Sequence, residues 1–185
     1  TAVEKRSGPF MDSLKQSSDR ATAIISTCLL DNLLESLIRT YFIKDSAVKQ
    51  IFKNDHILQT YFAKVNIAYF SGLIPKIISH DLKLIGEIRN KFAHETIANL
   101  SFNSIAISHR IDKCEIRSKT MDKIRENKIK YVIIVQQLIT YLCIFELLLQ
   151  NSKLPTLVEL FKVDDWGIEE GALTLEQCKQ ILKNE

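Results

Sequence analysis

At 185 residues, 46% apolar and 25% charged, the chain has the size and balance of one soluble globular domain able to bury a core. Its 5 Gly and 3 Pro are few, which argues against many short strands joined by tight turns and for long helices. A net charge of +3 is too small to indicate nucleic-acid binding by itself, and Cys28, Cys114, Cys143 and Cys178 form no closely spaced pair of the kind that holds zinc.

Residues 1–17 contain Gly8-Pro9 and little periodicity, and read as an N-terminal arm with a short helix near Phe10 to Leu14. Ser18 and Asp19 then offer N-caps to a long helix. Ala23, Ile24, Cys28, Leu30, Leu34, Leu37, Ile38, Tyr41 and Phe42 give it a broad apolar face. Cys28, like Cys143, reads as a small core residue. Thr27, Asp31, Glu35 and Arg39 recur every fourth residue and predict a solvated polar stripe, with Glu35 and Arg39 in the favourable order for a surface pair.

A short helix is expected over Ser46–Phe52, and Asn54 or Asp55 can cap another running to about Phe70. Gly72 is placed to end that helix in the left-handed conformation, and Pro75 fits the first turn of the next segment. Leu82, Ile85, Ile88 and Phe92 then show helical spacing, while Gly86 and Ala93 form a small strip where another helix can approach closely. Residues 95–105 lose the period, and two short helical pieces lead to a last long helix from Met121 to about Gln150. That helix is apolar nearly all round from Tyr131 onward. Gln136, Gln137 and Glu146 favour the centre of a bundle or a dimer seam over a membrane span.

The tail after Pro155 is acidic, and Leu173, Leu175, Cys178, Ile181 and Leu182 suggest a terminal amphipathic helix with Thr174 as its cap. Three parts follow: an arm (1–17), a helical domain (18–150) and an acidic C-terminal extension (151–185). The fold class is all-α, a bundle of two long helices and several short ones.

The stretch Glu87-Ile88-Arg89-Asn90-Lys91-Phe92-Ala93-His94 carries the chemistry in question. Cleaving RNA needs groups that move protons and positive charge on the phosphorane-like transition state. Histidine titrates near neutral pH, and arginine grips phosphate with two parallel hydrogen bonds. On a helix, however, five residues rotate Arg89 and His94 about 140° apart. Asn90 and His94, four apart, share a face. Arg89 joins them only by reaching round, by a break at the helix end, or through a second subunit. The bland alternative is a polar clasp in which Arg89 and Asn90 cap carbonyls. His56, His80 and His109 lie at unrelated spacings and read as surface or capping residues, so no metal or cofactor is expected.

Arg89-Asn90 followed by His94 resembles the Arg-x4–6-His motif of the HEPN superfamily, small all-helical domains that include metal-independent RNases acting as dimers. Asp31 and Glu35 are candidates for the acidic residues that accompany the pair in active members.

A longer resemblance runs over residues 17–150. Asp19-Arg20-Ala21 and Asp31-Asn32-Leu33-Leu34-Glu35 look like the mannitol-repressor (MtlR-like) family. So do Ala63-Lys64-Val65-Asn66-Ile67-Ala68-Tyr69-Phe70-Ser71-Gly72-Leu73-Ile74, the run Asp81 to His94, Ser101-Phe102 and Cys114. That resemblance implies an all-helical protein associated with transcriptional repression yet without a recognisable DNA-binding motif. It therefore implies regulation through protein partners, or neutralisation of a toxin in an immunity role.

The expectation is a non-enzymatic regulator or neutraliser that binds a protein, with Asp164, Asp165, Glu169 and Glu170 as candidates to meet a basic nuclease or toxin domain. The alternative is a HEPN-type endoribonuclease using Arg89, Asn90 and His94. Arg110, Lys113, Arg117, Lys119, Lys123, Arg125, Lys128 and Lys130 outnumber four acidic neighbours, which leaves nucleic-acid contact open with a solvated face as the default. A homodimer is also open. The start shows no charged-then-apolar signal pattern, which with the unpaired cysteines predicts a cytoplasmic protein without membrane attachment.

Overall fold

The computed structural model describes residues 12–42, 50–52, 57–94, 100–116, 121 and 123–150. Among them are six helices and no strand. These are a short α1 (residues 12–16), α2 (Asp19–Tyr41), α3 (Tyr61–Phe70), α4 (Lys76–His94), α5 (Ile105–Asp112) and α6 (Asn127–Gln150). The predicted helix over Ser46–Phe52 falls largely outside the described residues, as do the caps Asn54 and Asp55, His56, and the whole segment 151–185 with its predicted helix.

Local chemistry sets most boundaries. Ser18 caps α2, its hydroxyl accepting the Ala21 N–H at 3.2 Å, and Asp19 sits in the first turn where the helix dipole favours negative charge. α3 begins later than the sequence suggests. The Leu58 N–H bonds back to the Ile51 carbonyl at 3.0 Å, so the chain turns there, and Thr60 becomes the cap by accepting from the Ala63 N–H. α3 ends as expected. Gly72 has φ 71°, its N–H reaches the Tyr69 carbonyl and the Leu73 N–H reaches that of Ala68, the paired bonds of a Schellman stop. α6 starts at Asn127 rather than Met121, because Met121 is buried in a tight turn that the Ile124 N–H closes onto its carbonyl.

α2 and α6 form the centre and run parallel. Ser26 meets Tyr131 at one end, at 2.7 Å between hydroxyls, and Ser36 donates to Glu146 at 2.6 Å near the other. Leu30, Leu34, Leu37 and Ile38 of α2 and Val135, Leu138, Leu142 and Phe145 of α6 are buried in one core. Both helices are long and apolar enough to cross a membrane by length and composition alone. Each packs here against the rest of the bundle, and Glu146 and Ser36 hydrogen-bond across their seam.

α4 closes the core from another side, and a stack of rings ties its end to α6. Phe92 lies 5.1 Å from Phe102, which lies 4.6 Å from Tyr131 between centroids. Two buried or half-buried aspartates fasten the linkers. Asp19 accepts the Phe102 N–H at 3.0 Å, and Asp81 accepts those of Glu115 and Ile116 at 2.9 and 2.8 Å.

Several expected core positions lie outside it. Ile24 and Cys28 are exposed, as are Ile25 and Tyr41, because the packed face of α2 centres on Ala23, Leu30 and Leu34. Gly86 does admit a close neighbour, since a Cβ there would stand 2.8 Å from both Tyr61 and Phe62. Ala93, its expected companion, is exposed and takes no part.

Candidate functional site

The largest departure from the sequence reading is the polar stripe of α2. It is not solvated. α3 lays Lys64 across it, and the ammonium bonds Asp31 at 2.9 Å and Glu35 at 3.0 Å. Glu35 is also gripped by Arg39, whose guanidinium comes within 2.8 Å and stacks over the Phe52 ring. Lys64 is only 4% exposed, and Thr27 at the head of the stripe is buried. A lysine loses hydration at such a place unless carboxylates replace it, so the three charges hold one another in position. The other Asp31 oxygen, Oδ1, is buried without a hydrogen-bond partner among the described residues.

Burial works to raise the pKa of Glu35, but the hydrogen bonds and charges of Lys64 and Arg39 outweigh it and hold the carboxyl below its ordinary value. Tyr61, one turn before Lys64, is buried and donates to the Leu82 carbonyl at 2.9 Å. Burial pushes its phenol well above the ordinary value; Asp31 adds to that shift and Arg89 opposes it. Both charges therefore lie within electrostatic reach of one phenol.

Arg89 thus belongs to the face of α4 that carries Leu82 and Gly86 and meets α3. His94 does not. α4 runs unbroken to His94, so the rotation between the two side chains persists, with Arg89 half-buried and His94 exposed. Asn90 is half-buried, one turn before the end. Among the described residues none of the three makes a side-chain hydrogen bond or ion pair, so no clasp joins them and no carbonyl is capped by Arg89 or Asn90. The exposed face of α4 is tied instead by Glu87, which accepts from Arg110 of α5 at 2.8 Å.

His80 lies half-exposed between Asp81 at 3.0 Å and Glu115 at 3.3 Å, and His109 is exposed. Burial raises the Asp81 pKa, with the two backbone N–H groups and His80 acting against it. No group of three or more metal-binding side chains occurs among the described residues. Asp164, Asp165, Glu169 and Glu170 lie outside them.

Sequence reasoning missed Lys64 and Tyr61. The available signal was a lone cation inside the run Tyr61-Phe62-Ala63-Lys64-Val65, where a charge so surrounded calls for a buried partner.

The helices form an all-α bundle, and its likeness to a solved structure is to an MtlR-like fold. It is similar to a chain in the X-ray structure of the MtlR–HPr complex from Escherichia coli, with a TM-score of 0.60 and 18% identity over 77% of this chain and 99% of that one. No protein-family model matches the chain, and no curated protein matches it in sequence. The likeness bears on the fold and gives the Arg-x4-His reading no support.

Proposed function

We propose that this protein is a non-enzymatic regulator or neutraliser that works in the cytoplasm by binding a protein partner. The observation that carries the reading is the MtlR-like fold, whose similar solved structure is a complex with a protein, HPr. The polar residues support it from the other side. Arg89 and His94 diverge on one continuous helix, and Lys64, Asp31, Glu35 and Arg39 are occupied with one another. A nuclease site needs its proton carrier and its phosphate grip on the same atoms. A surface for a partner needs no such convergence.

The acidic run with Asp164, Asp165, Glu169 and Glu170 suits a basic partner, including a nuclease or toxin domain that otherwise binds nucleic acid. The test starts with the tagged full chain. Proteins captured from lysate are identified by mass spectrometry, and each is purified and titrated against this protein. The reading expects a saturable complex that weakens when Asp164, Asp165, Glu169 and Glu170 are changed to Asn or Gln. In parallel, the protein is incubated with total RNA in EDTA beside a His94→Ala variant. Cleavage by the native chain alone would overturn the binding-only reading.

A further inference from the structure

Charge is divided along this chain. Residues 151–185 hold seven acidic residues against four lysines, a net of −3, which leaves +6 for residues 1–150 out of the whole chain's +3. Part of the excess lies on the connection between α5 and α6. Lys113 at the end of α5 and Lys123 and Arg125 before α6 are exposed, and among the described residues they make no ion pair. Most of the described acids around that connection are engaged elsewhere. Asp112 reaches Lys130 at 3.6 Å, Glu115 holds His80, and Asp19 meets Lys128, leaving Glu126 exposed.

α5 itself carries an apolar knob. Ile105, His109 and Lys113 recur every fourth residue along α5, a single stripe on a helix, and all three are exposed. Ile105 is 87% exposed, more than any other large apolar side chain among the described residues.

The segment Asp164-Asp165-Trp166-Gly167-Ile168-Glu169-Glu170 has the complementary pattern, two apolar side chains flanked on both sides by paired carboxylates. We propose that in the free protein this segment folds back and docks on the α5 stripe, with Trp166 or Ile168 against Ile105 and the carboxylates against Lys113, Lys123 and Arg125. The reach suffices. Gln150 lies twenty residues along α6 from Lys130, which pairs with α5, a distance of about 30 Å at the helical rise. Residues 151–163 extend to about 43 Å. The docked segment would occupy the α5 stripe until a competing surface displaces it. The proposal concerns the free chain and stands apart from the identity of any partner.

Trp166 is the one tryptophan of the chain, so its fluorescence reads the docking directly in the full-length protein. The expected result at low salt is a blue-shifted emission with weak acrylamide quenching, unchanged on dilution. Ile105→Asp and Lys113→Glu should each shift the emission to the red and increase quenching. Both positions are exposed, and an unchanged circular-dichroism spectrum confirms that the bundle persists. Salt should act in the same direction, since screening contracts the reach of charge from about 10 Å at 0.1 M to about 3 Å at 1 M. Carbodiimide cross-linking of mixed light and heavy isotope-labelled protein locates the contact, with Lys113 or Lys123 joined to 164–170 inside one chain. A solvent-exposed tryptophan at low salt overturns the proposal. So does a buried one indifferent to both substitutions, or cross-links found only between differently labelled copies.

Discussion

Lys64 shows how much one residue can decide. Its side chain is buried and its ammonium ends between Asp31 and Glu35, so removing it leaves two half-buried carboxylates without their shared cation. Lys64→Ala should lower stability by about 1–3 kcal/mol, the range for a buried polar group deprived of its partner. Urea unfolding measures this, and a loss no greater than that of an exposed lysine would show that water replaces the ammonium freely. The pH response of Glu35 follows from the same contacts. Its folded-state pKa lies below the ordinary 4.5, so its contribution is present above that value and disappears as pH falls through the lowered one. Asp81, shifted upward by burial, contributes in the opposite sense, so the acid limb of the stability curve is a sum of both. The informative measurement is the difference between native protein and Glu35→Gln. It should shrink on acidification below pH 4.5, and a difference constant with pH would contradict the assignment.

Among the elements, the crossing of α3 over α4 depends on the missing Cβ of Gly86. The Tyr61 ring that occupies that space cannot withdraw easily, because its hydroxyl is held by the Leu82 carbonyl and the ring is buried. Gly86→Ala should therefore destabilise by about 1–3 kcal/mol through overpacking, despite alanine's better helix propensity. A thermal melt decides it, and a gain in stability would mean that α3 shifts at little cost. Gly72→Ala should cost about 1–2 kcal/mol for a different reason, the left-handed backbone at φ 71°. The caps and stops here were legible in the sequence, since Ser18 and Gly72 act within a few residues of themselves. The starts of α3 and α6 were not. They depend on Leu58 and Met121 being drawn into the core, which no local pattern announces.

At the scale of the whole bundle, the parallel α2–α6 pair is the part around which α3, α4 and α5 pack. Their seam holds the buried Ser26–Tyr131 bond, and burial pushes the Tyr131 phenol up to about 12. Hydrogen exchange should be slowest along the middle of these two helices, around Leu34 and Leu138, and faster in α5, which buries only Ile107 and Ile111. Uniform protection across all helices would contradict a centre formed by that pair.

The Arg89–His94 stretch changes meaning at this scale. Its spacing alone correctly showed that the two side chains diverge on a helix. Only the fold showed that Arg89 is half-buried within electrostatic reach of Tyr61 while His94 is left exposed.

The all-α class, the two long helices, the apolar wrap of α6 and the stop at Gly72 were determined by the sequence itself. Each follows from periodicity or backbone preference over a turn or two of chain. The tertiary structure alone decided which face of α2 is buried, that its polar stripe is an ion-paired seam, and that Asp19 and Asp81 hold distant linkers. Lys64 and Asp31 are 33 residues apart, as are Asp81 and the N–H groups it binds to within a residue or two. Interactions over that separation depend on how helices are brought together, and a one-dimensional pattern of polar and apolar residues does not contain that information.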